Sequence, residues 1–213
     1  MVPGILPGVV VNRSGPSAVL AVVRPHSSDD AAITEWARLA GRGDQVALER
    51  FLRATQPHVW RFVAGLSDTQ SADDLTQETY IRALGSLGRF RAESSARTWL
   101  LSIARRVVAD HIRALQARPR AATLADWQSA GDETAPAEHA AFEERVLLDH
   151  LVAALEPDRR DAFVLTQTLG LSYTDAAEVC GCPVGTIRSR VARARDDLMA
   201  AMHGTTVRRS ATG

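Results

Sequence analysis

The chain has 213 residues, 46% of them apolar, and its 25 basic residues, all Arg, balance 25 acidic ones to a formal net charge of zero. That length allows one or two domains with cores of their own, while no apolar run reaches the roughly 18 residues needed to span a bilayer. The zero sum does not exclude a polyanionic partner, because the charges are segregated along the chain.

Between Phe62 and Ile81 stand Asp68, Asp73, Asp74 and Glu78 with no base, whereas Arg97–Arg120 holds Arg97, Arg105, Arg106, Arg113, Arg118 and Arg120 against Asp110 alone. Acids alone follow from Asp126 to Glu144, and arginines return at Arg188, Arg190, Arg193 and Arg195. The exclusive use of Arg fits the coding bias of a GC-rich genome. Cys180 and Cys182 are the two cysteines. One intervening residue is poor spacing for a disulfide or a zinc knuckle, so both read as packing residues in a reducing cytosol.

In chain order, Met1–Asp30 carries scattered Pro and Gly and no sustained period, so a disordered extension is expected there. No basic n-region marks it as a secretory signal. From Ala31, Ile33, Trp36, Ala37 and Ala40 share one helical side, and Gly41 and Gly43 end the run. Val46–Leu66 repeats apolar residues at helical spacing, with Pro57 expected to kink or interrupt it. A third helix is expected over Ser71–Leu87, opened by a capping box of Ser71 and Asp74, with Tyr80, Leu84 and Leu87 as its apolar face.

Gly88–Arg97 loses the period and reads as a loop. Thr98–Ala117 follows as a helix that buries Leu100, Ile103, Ala104, Val107, Val108 and Leu115. Its other side gathers Ser102, Arg105, Arg106, Asp110 and Arg113, with Trp99 at the edge. Arginines tracking phosphates beside a ring that stacks on an unpaired base is the chemistry of melted DNA. On spacing alone, Trp99 reads as core, and the arginines as the functional part of the face.

Arg118–Ala140 is rich in Pro, Gly and acids and reads as a linker. Extended, it spans roughly 75 Å at about 3.3 Å per residue. Phe142–Leu155 is helical, and Pro157 opens another helix that Gly170 closes.

Ser172–Leu198 has the form of a helix-turn-helix. Ser172 and Asp175 have capping-box spacing, Gly181 suits a turn of positive φ, and Pro183 suits a helix start. Val184, Ile187, Val191, Ala194 and Leu198 make an inward stripe. Thr186, Arg188, Ser189, Arg190 and Arg193 are left to face a major groove. A frayed tail is expected beyond it. No strand pattern is visible, so the fold class is all-α.

Three blocks in this order, Asp73–Leu84 (DDLTQETYIRAL), Phe90–Arg113 (FRAESSARTWLLSIARRVVADHIR) and the helix-turn-helix, resemble a bacterial group IV, extracytoplasmic-function sigma factor of the sigma-70 family. The wording most resembles the actinobacterial sigma-C type. The resemblance covers about residues 31–203. It implies a sigma-2 helical bundle over 31–118, a flexible acidic linker over 119–140, a sigma-4 domain over 141–203, and disordered ends at 1–30 and 204–213.

It also implies that Asp73, Asp74, Gln77 and Glu78 dock on the β′ clamp helices of core RNA polymerase, with the β flap as a second contact. Ala92, Glu93, Ser94, Ser95 and Ala96, with Trp99, Arg105, Arg106 and Arg113, would read and melt the promoter −10 element by capturing a flipped base. Thr186, Arg188, Ser189, Arg190 and Arg193 would read the −35 element. An anti-sigma factor is a candidate partner, whereas no cofactor, metal, membrane or small-molecule substrate is implied. Two departures stand out. The family often has Gly where Ala92 stands, which alters the loop, and Asn where Arg106 stands, which here adds positive charge.

The runner-up reading is a stand-alone helix-turn-helix transcriptional regulator. An enzyme holding metal on Asp73, Asp74 and Glu78 is a third, without the His or Cys set that would accompany it.

Overall fold

The computed structural model describes residues 9–12, 19–22, 27–117 and 146–210, with side chains described over 29–117 apart from Thr69 and over 146–203. The linker over 119–140, the first part of the helix expected from Phe142 and the last three residues lie outside the described residues.

The N-terminal domain is a bundle of α1 (Ser27–Ala40), α2 (Gln45–Leu66), α3 (Thr69–Leu87) and α4 (Ala96–Ala117). Its core is built from the periodic positions of the sequence: Ile33 and Ala37 of α1, Phe51, Phe62 and Val63 of α2, Leu87 of α3, and Leu100, Leu101 and Ala104 of α4. Each fully buried large side chain among them contributes on the order of 2 kcal/mol of hydrophobic stabilisation. The C-terminal domain comprises α5 (146–153), α6 (Pro157–Phe163) running into a π turn (Val164–Thr168), α7 (Tyr173–Cys180) and α8 (Val184–Ser210). Ile187, Val191, Ala194 and Leu198, the inward stripe of α8, are buried together with Phe163, Leu165 and Leu169.

The all-α, two-domain architecture agrees with the expectation from sequence, and several local features differ from it. Pro57 sits inside an unbroken α2; both it and Arg53, whose carbonyl it leaves without a helical donor, lie on the solvent side. The cap of α3 is Asp68, not Ser71. Its carboxylate accepts from the Ser71 N–H at 2.8 Å and the Ser71 hydroxyl at 2.9 Å, and a charged acceptor at a helix N-terminus outcompetes a neutral one. Leu84 and Leu115 are exposed rather than buried. The face α3 buries is instead that of Ala72, Leu75, Thr79 and Ala83, and the last turn of α4 is exposed all round.

Within the stretch expected to lack regular structure, Val9–Asn12 and Val19–Val22 pair as an antiparallel hairpin (β1, β2), with Val9 opposite Val22. Short β-branched runs suffice for this, although neither is long enough to show alternation. The expected frayed tail is helical to Ser210, since Gly204 alone is too weak a breaker to stop a long helix.

The two domains pack on each other. Helix α4 lies against α7, and α2 against α6 and the π turn. The approach is close at Gly65 of α2, where an added Cβ would stand 3.1 Å from Val164 Cγ1.

Candidate polymerase and promoter interfaces

On α3, Asp73, Asp74 and Gln77 are exposed and Glu78 is half-exposed. Asp73 is not simply solvated: Trp60 of α2 donates its indole N–H to Asp73 Oδ1 at 2.8 Å, fixing where the carboxylate points. Glu78 accepts from Arg82 Nε at 2.7 Å, and the same guanidinium reaches Asp110 of α4 at 2.7 Å. Arg82, with Arg113 beside it, holds the Asp110 carboxyl below its ordinary range. Ile81, 66% exposed, and Leu84 flank these acids at helical spacing. Acids and large exposed apolar side chains thus share this face of α3. Among the described residues no group of three potential metal ligands occurs.

The loop between α3 and α4 lines a cleft of about 290 Å³ together with Arg89, Phe90, Arg91, Trp99 and, from α7, Glu178. Phe90 and Trp99 are in tilted contact, with ring centroids 4.9 Å apart and planes 41° from parallel. Trp99 is half-buried, with its ring at the cleft. Ala92, Glu93 and Ser94 also line the cleft. Ala92 holds φ at 56°, the left-handed region, which accounts for glycine being the usual residue there in the family it resembles. Ser95 and Ala96 have other tasks. The Ser95 hydroxyl accepts from the Thr98 N–H at 3.0 Å and caps α4, while Ala96 is fully buried.

The basic face of α4 is divided. Arg106 and Arg113 are exposed. Arg105 is turned into the domain interface, where Nε donates to Asp161 Oδ2 at 2.6 Å and Nη2 reaches Asp158 at 3.4 Å. Burial opposes the charge on Arg105, but Asp161 outweighs it and keeps the guanidinium firmly protonated.

On α8, Arg188, Ser189 and Arg193 are exposed and Thr186 half-buried. Arg190 instead donates to Asp158 and to Cys182 Sγ. Asp158 therefore touches one arginine from each expected DNA-facing set. The turn that presents α8 has the expected form. Ser172 accepts from the Asp175 N–H at 3.0 Å, and Gly181 adopts the left-handed conformation at φ 65°, ψ 38°. Burial pushes the Cys180 thiol up to about 12, which keeps it protonated and inert in this turn. Trp60, Asp158, Asp161 and Glu178 escaped the reading of the sequence. The available signal for Asp158 was its place in the first turn of a Pro-started helix, where an acid is ordinarily satisfied by the dipole.

The profile of Sigma-70 region 2 matches residues 51–118, and that of Sigma-70 region 4 matches 145–198. Over 174 residues, 82% of this chain and 93% of the relative, the chain is 59% identical to ECF RNA polymerase sigma factor SigC of Mycobacterium tuberculosis. The chain belongs to the extracytoplasmic-function sigma factors. Another such sigma factor, EcfG of Rhodopseudomonas palustris, is 37% identical over 70% of this chain and 82% of its own length. Among solved structures, the sigma factor RpoE of Bartonella quintana in complex with the anti-sigma factor NepR superposes with a TM-score of 0.58 at 26% identity, covering 73% of this chain and 96% of that one. A structure of CnrH in complex with the cytosolic domain of CnrY shares the fold, with a TM-score of 0.63 at 24% identity over 81% of this chain and 98% of that one. As a sigma factor, this protein is a DNA-binding regulator of transcription initiation with core RNA polymerase and promoter DNA as its partners. A sigma-70 region 2 match in the N-terminal half disfavours the stand-alone regulator. No helix among the described residues is long and apolar enough to cross a membrane.

Proposed function

We propose that this sigma factor engages the β′ clamp helices through the Asp73–Leu84 face, takes a flipped −10 base into the cleft beside Trp99, and reads the −35 element with Arg188, Ser189 and Arg193 of α8. The cleft carries this reading. It combines an aromatic pair, Phe90 and Trp99, with Arg89 and Arg91 and a loop of small residues, which suits an unstacked base and its phosphates. Domains over 31–118 and 141–203, joined by 119–140, would carry these tasks separately, with the β flap holding the second. The polymerase performs all the chemistry; this chain binds, orients and melts, in the cytoplasm. An anti-sigma factor is a further proposed partner, in keeping with the complex of the Bartonella quintana relative.

Arg105 is held by Asp158 and Asp161 of the other domain in this arrangement, so its engagement with the promoter requires the two domains to part, whereas Arg190 is held by Asp158 of its own domain. The test is run-off transcription by core polymerase on a promoter library, with and without the protein. New starts sharing two upstream elements are expected. Arg188→Ala is expected to erase base preference in the upstream element and Trp99→Ala in the downstream one. No new starts, with no co-elution on core polymerase, would sink the reading.

A further inference from the structure

Helix α1 lies outside the residues matched to Sigma-70 region 2, yet it grips both ends of the loop that lines the cleft. At the loop's C-terminal end, Thr34 Oγ1 accepts from the Ala96 N–H at 3.0 Å and donates to the Asp30 carbonyl at 2.7 Å. The first N–H groups of a helix have no partner within it; here α4 receives one from a different helix. One residue on, the Arg97 guanidinium pairs with the Asp30 carboxylate at 3.1 Å, and Arg97 is only 6% exposed. At the loop's N-terminal end, Gly41 at the end of α1 lies on the chain leaving α3. A Cβ built on it would stand 2.6 Å from the Leu87 carbonyl oxygen, and one built on Gly88 would stand 3.6 Å from the Gly41 carbonyl.

Two posts on one helix therefore fix the span the loop must close. Thr34 and Gly41 are seven residues apart, roughly 10 Å at about 1.5 Å per helical residue. Between the posts, Ala92 is held in a left-handed conformation that a side chain adopts only when its surroundings impose it. A cleft that discriminates among bases depends on the placement of its walls to a fraction of an ångström.

We infer that α1 is the frame of the −10 reading loop, with Asp30 and Thr34 as positioning residues that set which base the cleft accepts. The inference rests on the assignment of that cleft to the −10 element. Thr34→Val keeps the shape of the side chain but removes both hydrogen bonds, leaving the buried Ala96 N–H without its acceptor. Thr34→Ser keeps both.

The experiment is run-off transcription by holoenzyme, reconstituted from core polymerase and the full chain, on double-stranded promoters randomised through both elements. The readout is the enrichment of preferred bases at each element. For Thr34→Val, enrichment in the downstream element falls by about fivefold, as loss of one buried hydrogen bond implies. Enrichment in the upstream element and affinity for core polymerase stay unchanged, and Thr34→Ser behaves as the unmodified protein. Should Thr34→Val not fold, Asp30→Asn, which weakens only the pair to Arg97, carries the same expectation. Unchanged downstream enrichment, or a parallel loss at both elements, overturns the inference. Absence of any shared element with the unmodified protein removes the cleft assignment itself, and the inference with it.

Discussion

Arg105 is a single side chain with two possible anions. Sequence periodicity places it on the basic face of α4, and it is there, but its guanidinium is spent on Asp161 and Asp158 of the other domain. Helical spacing can say which face a residue occupies, and it cannot say that a second domain covers that face. Asp161→Asn should loosen Arg105 toward phosphate, leaving Asp158 at 3.4 Å as its remaining anion. Binding of the free protein to a single-stranded −10 oligonucleotide, followed by fluorescence anisotropy, is expected to tighten by about fivefold, equivalent to about 1 kcal/mol. His58 of α2 supplies a second residue-scale prediction. Burial first, then the charges of Arg97 and Arg61, lower its pKa from 6.5 to about 4, and its buried Nδ1 lacks a hydrogen-bond partner. The folded state therefore resists a proton that the unfolded chain accepts. Stability should be fully present near pH 7 and fall as pH drops through the unfolded value, by about 2 kcal/mol at pH 5. Urea melts at pH 7 and 5 test this, and His58→Gln should flatten the difference.

Among the elements, α7 is the one most dependent on its ends. Eight residues make too short a helix to persist on propensity, so the Ser172 cap and the left-handed Gly181 carry much of its definition. Ser172→Ala is expected to cost about 1 kcal/mol and to weaken −35 duplex binding, read by melting and by gel shift. Those two signals were legible because they are local: a cap and a turn glycine act within four residues. The inward stripe of α8 was equally legible, being a run of apolar residues at one period. The π turn at Val164–Thr168 was not. Its Leu169 N–H reaches back to the Val164 carbonyl at 3.0 Å, one residue further than an α-helix would, and no residue type demands that bond. Asp68 as the cap of α3 was missed because Ser71 offered a plausible capping box three residues later. The cleft was legible only in part. Trp99 and Ala92 fall in the block that resembles the family, while Glu178 arrives from a helix some eighty positions away, a distance that periodicity does not bridge.

At the scale of the whole molecule, the packing of the domains sets what is available to DNA. The seam is tight at Gly65, where Val164 occupies the space of a side chain. Gly65→Leu should push Val164 and the C-terminal domain away, so the radius of gyration from small-angle scattering should rise while each domain keeps its helicity. The free protein should then bind a single-stranded −10 oligonucleotide more tightly than the unmodified chain, by about tenfold if close to 1.4 kcal/mol of docking is lost. An unchanged scattering profile would mean that the seam gives way locally instead. Asp158, which holds Arg105 on one side and Arg190 on the other, has a consequence for how the two promoter elements communicate. Whatever captures Arg190 leaves Asp158 to Arg105 alone and tightens that pair, and the reverse. The two occupancies are then linked by a single factor that reads the same in both directions: a −35 duplex should weaken the affinity for a −10 strand by as much as the strand weakens the affinity for the duplex, and Asp158→Asn should bring that factor toward one.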